Sequence, residues 1–86
     1  MPRALSIHRS IVPASDRARY LERLRVRQGH YVNAKCKFWV FEEASLAGAF
    51  IEFAEGPDAA TLAAAHAASP DPVLDPARIY TEVELP

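Results

Sequence analysis

Apolar and polar positions alternate at the start of the chain: Leu5, Ile7 and Ile11 fall on one side of an extended segment, and Ser6, His8 and Ser10 on the other. That period of two predicts a strand from Leu5 to Val12, ended by Pro13. Ser15 or Asp16 then caps a helix in which Ala18, Leu21 and Leu24 recur at helical spacing. This helix runs from Arg17 to Gln28, with Gly29 placed as the residue past its end. A second strand lies within His30 to Glu43, strongest from Cys36 to Phe41. Ser45 to Gly48 makes a turn, and Ala49 to Ala54 a third strand. Gly56-Pro57 breaks that strand, and Asp58 caps an alanine-rich helix through Ala68. The proline-rich SPDPVLDP, Ser69 to Pro76, reads as a loop, and alternation returns from Arg78 to Leu85 as a closing strand.

The order β-α-β-β-α-β predicts an α+β, ferredoxin-like domain spanning residues 1–86, a four-stranded antiparallel sheet with two helices on one face. Ile7, Ile51, Phe53, Ile79, Val83 and Leu85 fit the helix-covered side. Trp39 and Phe41 point opposite to Cys36, Phe38 and Val40, and Phe50 points opposite to Ile51, so the other side is apolar as well. Trp39, Phe41 and Phe50 exposed together would make a patch uncommon on a soluble monomer. Burying three aromatic rings stabilises by on the order of 10 kcal/mol before entropy costs. The expectation is a homodimer packed through the open sheet face, which also suits the modest core of a chain of 86 residues, many of them alanine.

Charge changes the picture little. Residues 1–37 carry nine of the ten bases and residues 38–86 nine of the eleven acids. A basic first half can mark a nucleic-acid face, yet the arginines of the first helix spread around it and the aromatic signature of sheet-based RNA readers is absent. No nucleic-acid partner is expected; the two halves neutralise each other within the fold or across subunits. A single cysteine fits a reducing compartment. No apolar run is long enough to span a membrane, and MPRALSIHRS lacks the apolar core of a signal peptide, so a cytoplasmic location is expected. Three scattered histidines have no paired spacing, so no metal is expected.

If the second sheet face lines a cleft between subunits, strand parity selects Ser6, His8, Trp39, Phe41, Phe50 and Glu52, with Tyr80 and Glu82 from the last strand. Aromatic walls with a few polar groups suit a small apolar or aromatic ligand. His8 would act as acid or base there, tuned by Glu52 or Glu82. The competing account has these polar groups satisfying one another at a packed interface, which makes the protein a non-catalytic dimeric assembly module. His30-Tyr31 reads as a loop end after the first helix or as a pocket mouth, and Cys36 as a buried thiol that packs like a small hydrophobe.

The same residues carry a resemblance. SIVPASDRARYLERL together with CKFWVFEE…GAFIEFAEGPDAATLAAAHAAS resembles the dimeric α+β barrel superfamily, and within it the antibiotic-biosynthesis monooxygenase type of domain. That pattern has a strand begun by cysteine, a strand bearing a glutamate, and a helix ending in histidine, here Cys36, Glu52 and His66. The resemblance implies a homodimer and an oxygenase that needs no cofactor, with His66 joining His8 and Glu52 as catalytic candidates.

Overall fold

A computed structural model describes residues 2–71, 73 and 75–86. The chain forms β1 (Ala4–Ile11), a 3-10 turn (Ala14–Asp16), α1 (Arg17–Asn33), β2 (Lys37–Glu42), β3 (Ala49–Gly56), α2 (Ala59–Ala67) and β4 (Tyr80–Thr81). The four strands make one antiparallel sheet in the order β2-β3-β1-β4, with both helices on one face: the ferredoxin-like α+β arrangement. Pro72 and Leu74, within the loop expected over residues 69–76, lie outside the described residues, as does Met1.

Local chemistry explains most element ends. The Asp58 carboxylate accepts from the Thr61 backbone N–H at 2.7 Å and caps α2. Helix α1 does not stop at Gly29 as expected; it continues to Asn33 with Gly29 inside it. Its end is set at Lys35, which takes the left-handed conformation (φ 66°) while the N–H groups of Lys35 and Cys36 bond to the carbonyls of Val32 and Tyr31. The hairpin between β2 and β3 turns on Gly48 (φ 89°). Glu42 accepts from the Gly48 N–H and, in a two-pronged pair, from Arg17, which together hold its carboxyl down at about 2. The last strand is shorter than expected: only Tyr80 and Thr81 pair with β1, and Val83 and Leu85 are exposed.

The face assignment is the principal correction. Paired residues on neighbouring strands share a face, and the registers align Ile7 and Trp39 with Phe53, and Phe41 with Ile51. All of these lie on the open face, where Ile7, Trp39 and Phe41 are 41, 37 and 53% exposed. The helices instead cover Phe38, Phe50, Glu52 and Ala54, all buried. Ile7, Ile51 and Phe53 are therefore not on the helix-covered side, and Phe50 is not on the open one. Apolar side chains failed to mark the covered face because that face also buries polar groups bonded to α1.

The helix stripe differs for the same reason. Ala18 and Leu21 are exposed, and the residues turned inward are Tyr20, Leu24, Arg27 and Tyr31. Leu24 and Tyr31 join Ala4, Cys36, Phe38, Ala54, Leu62 and Ala65 in the core. Cys36 is buried just ahead of β2, and burial pushes its thiol up, as suits a packing residue. The charge asymmetry is partly used up inside the fold: among the described residues six ion pairs each join a base from residues 1–37 to an acid from residues 38–86. No helix is long and apolar enough to cross a membrane among the described residues.

Two glycines respond oppositely to a methyl group. Gly29 is exposed within α1, and a Cβ there would meet open space. Gly29→Ala is expected to raise stability by about 0.5–1 kcal/mol by lowering unfolded-state entropy. At Gly48 a Cβ would come within 2.5 Å of the Val12 carbonyl oxygen, on a backbone that side chains disfavour. Gly48→Ala should cost roughly 1–3 kcal/mol. Urea denaturation of both variants checks the pair, and similar effects at the two positions would contradict it.

A candidate site between sheet and helices

The space between the helix-covered sheet face and α1 is polar where the registers place Ser10 and Glu52 on adjoining strands. Glu52 is 4% exposed, and a buried carboxylate needs partners. Helix α1 supplies them about two turns apart on its inner stripe. Tyr20 donates its hydroxyl to Glu52 Oε2 at 2.8 Å and accepts from Ser10 at 3.3 Å. Arg27 pairs with Oε1 through a terminal nitrogen, and its other terminal nitrogen lies 3.7 Å from Asp71. Both Glu52 oxygens are thus engaged within the protein. Burial above all pushes the Tyr20 hydroxyl up to about 12, with Ser10 opposing the shift and Glu52 adding to it.

Further along α1, the buried Tyr31 ring stacks on Phe38 and its hydroxyl lies 2.6 Å from Nδ1 of His66 at the end of α2. His66 is 6% exposed. Burial pulls its pKa below the ordinary histidine value, and the nearby charges of Arg27 and His30 act in the same direction. Burial raises the Tyr31 hydroxyl, so both groups stay neutral near pH 7. His30 sits on α1 and donates Nε2–H to the Ala65 carbonyl at 2.7 Å, tying the helices together. His30-Tyr31 is therefore not a loop end, because α1 runs on past both.

Arg27, Tyr31, Glu52 and His66 border a cavity of about 780 Å³, as do His8 and Arg78. Phe38 and Ala54 give it apolar surface. His8 lies directly across from Glu52 in the β1–β3 register, and neither of its ring nitrogens is hydrogen-bonded among the described residues. Tyr80 borders this cavity too.

The residues expected to share one cleft thus divide between two places. His8, Glu52 and His66 come together beneath the helices. Trp39 and Phe41 are on the opposite sheet face, where both rings contact Phe53. Phe50 is buried under Tyr20 with ring centres 4.7 Å apart, and Glu82 lies past β4 paired with Arg3. Tyr20, Arg27 and Tyr31 escaped sequence reasoning. Their signal was the spacing 20, 24, 27, 31, a helical stripe whose arginine required a buried acid partner. No group of three metal-ligating side chains occurs among the described residues.

Because the folded state lowers the proton affinity of His66, the unfolded chain binds the extra proton more readily. The stabilising contribution is therefore full above the unfolded value of about 6.5 and is lost as pH falls below it. His66→Asn keeps a hydrogen-bonding group near the Nδ1 position but does not titrate. Its urea midpoint should fall less than the wild type's between pH 7.5 and 5; parallel falls would show that His66 does not contribute this linkage.

No protein-family model, curated protein or solved structure matches the chain.

Proposed function

We propose that the protein binds a small aromatic or apolar molecule in the cavity beneath its helices and works as a homodimer of the dimeric α+β barrel type. The observation that carries the binding reading is a cavity of about 780 Å³ bordered by buried polar groups, His66 and Arg27, that the protein itself leaves only partly bonded. A cavity needed only for packing would be filled or lined by apolar atoms. The resemblance to the antibiotic-biosynthesis monooxygenase type of domain gives a reaction class. His8, whose ring nitrogens are uncommitted, takes a proton from an electron-rich carbon or phenol of the substrate. Dioxygen is the oxidant: a CH₂ group becomes C=O, one oxygen atom is retained and the other leaves as water. Glu52 supports this indirectly by holding Arg27 and Tyr20 in place.

The homodimer is supported by the open face, where Ile7, Trp39, Phe41, Ile51 and Phe53 form one apolar surface. Phe53→Arg at its centre should convert a dimer to a monomer in sedimentation velocity, with the fold retained by circular dichroism. A wild type that sediments as a monomer would remove the assembly claim.

A fragment screen by NMR tests the binding reading. Aromatic compounds are expected to shift resonances of His8, Tyr31 and His66, and His8→Ala should lower oxygen consumption with any turned-over hit by roughly 10²–10⁴-fold while binding persists. Hits that shift only Trp39 and Phe53 would move the site to the open face. A screen without hits would favour the non-catalytic assembly module.

A further inference from the structure

We infer that the ligand of this cavity is a small aromatic acid whose carboxylate sits between the Nε2–H of His66 and the Nε–H of Arg27. The inference rests on the reading of the cavity as a ligand site, and it names the chemical class that site selects.

The argument starts from the Tyr31–His66 contact of 2.6 Å. Neutral imidazole carries one proton, on either nitrogen. If Nδ1 held it, Nδ1–H would donate to the Tyr31 oxygen. The hydroxyl proton of a tyrosine only 2% exposed would then be left to the nearby Ser69 hydroxyl, which makes no hydrogen bond to it and already accepts from the Asp71 N–H. If Tyr31 donates to Nδ1, the hydroxyl is satisfied and the imidazole proton is on Nε2. Hydrogen-bond economy selects the second arrangement. Nε2 is itself buried without a partner among the described residues. His66, which borders the cavity, therefore holds a buried donor without an acceptor and cannot serve as a base in this tautomer.

Arg27 presents a second donor. One terminal nitrogen is committed to Glu52 and the other lies near Asp71, which leaves Nε buried with no acceptor among the described residues. His66 and Arg27 both border the same cavity. Two buried N–H donors lacking acceptors call for oxygen atoms from outside the protein. An anionic oxygen is favoured over a neutral carbonyl because charge-assisted bonds are roughly twice as strong. The wall charges agree: Arg9, Arg23, Arg27 and Arg78 outnumber the lining acids Glu52 and Asp75, and with Asp71, which lies near Arg23 and Arg27, bases still exceed acids. Phe38, Tyr31 and Ala54 offer apolar contact to a ring.

The test compares 2-naphthoate with 2-naphthamide on the full chain, by calorimetry and by ¹⁵N NMR of the His66 imidazole and the Arg27 Nε–H. The carboxylate should bind at least tenfold more tightly and shift both N–H signals. His66→Asn, which keeps a partner for Tyr31 but places no N–H at the Nε2 position, should cut that preference below about threefold. His66→Gln, whose amide reaches toward that position, should restore part of it. Should either variant fail to fold, the wild-type preference and the Nε2 shift decide alone. Equal binding of acid and amide, with cavity resonances shifting for both, would overturn the carboxylate assignment and leave the cavity a ligand site. No binding and no cavity shift with either probe would overturn the cavity reading and the assignment together.

Discussion

A carboxylate on a central strand, nearly cut off from water, sets the terms for the rest of this fold. An unpaired charge at the depth of Glu52 would cost several kcal/mol, so a cation must reach it from the layer that covers the sheet. Arg27 meets that need, and in doing so it fixes the rotation of α1. With Arg27 turned inward, Tyr20 lies two positions before it on the stripe, beyond Leu24, and Tyr31 one after, and both hydroxyls reach polar partners across the gap. Replacing the pair by apolar residues could give a solid core. Keeping it leaves a cavity with polar walls, and that trade of packing for chemistry is common where a protein holds a ligand.

The sheet has two apolar-capable faces put to different uses. Beneath the helices the strands present a mixture: Phe38 and Ala54 join the core while Ser10 and Glu52 enter a hydrogen-bonded network. On the open side, aromatic and branched residues meet across strands, with Arg9, Lys37 and Glu55 on the same face. The proposed assembly and the proposed ligand binding would thus use separate surfaces. Trp39 and Phe53 stand on the side of the sheet away from His66 and Arg27.

The ion pairs show where the lopsided charge of the chain goes. Arg3, Arg17, Arg23 and Arg27 each meet an acid from the second half of the sequence. The strand order places the last and third strands on either side of the first, and arginines of the helix that follows the first strand reach Glu42 on the second strand and Glu52 on the third. Segments far apart in sequence thereby become neighbours, and opposite charge adds modest support at the surface and more at the buried pair.

The sequence by itself determined the order of elements, the cap at Asp58, the turn at Gly48 and the presence of apolar residues on both sides of the sheet. These are local matters: period, propensity and backbone conformation act within a few residues. It also brought forward His8, Glu52 and His66, which the fold gathers around one cavity. Tertiary structure alone decided which face the helices cover, because two apolar faces carry no label until a neighbouring element chooses one. It likewise decided that α1 passes Gly29, since packing of Tyr31 on Phe38 outweighs the weak local preference of one glycine for a helix end. The role of Arg27 belongs to the same class. An arginine on a helix reads as solvated until a carboxylate 25 residues away in sequence is folded against it, and only that contact turns a surface charge into the support of a site.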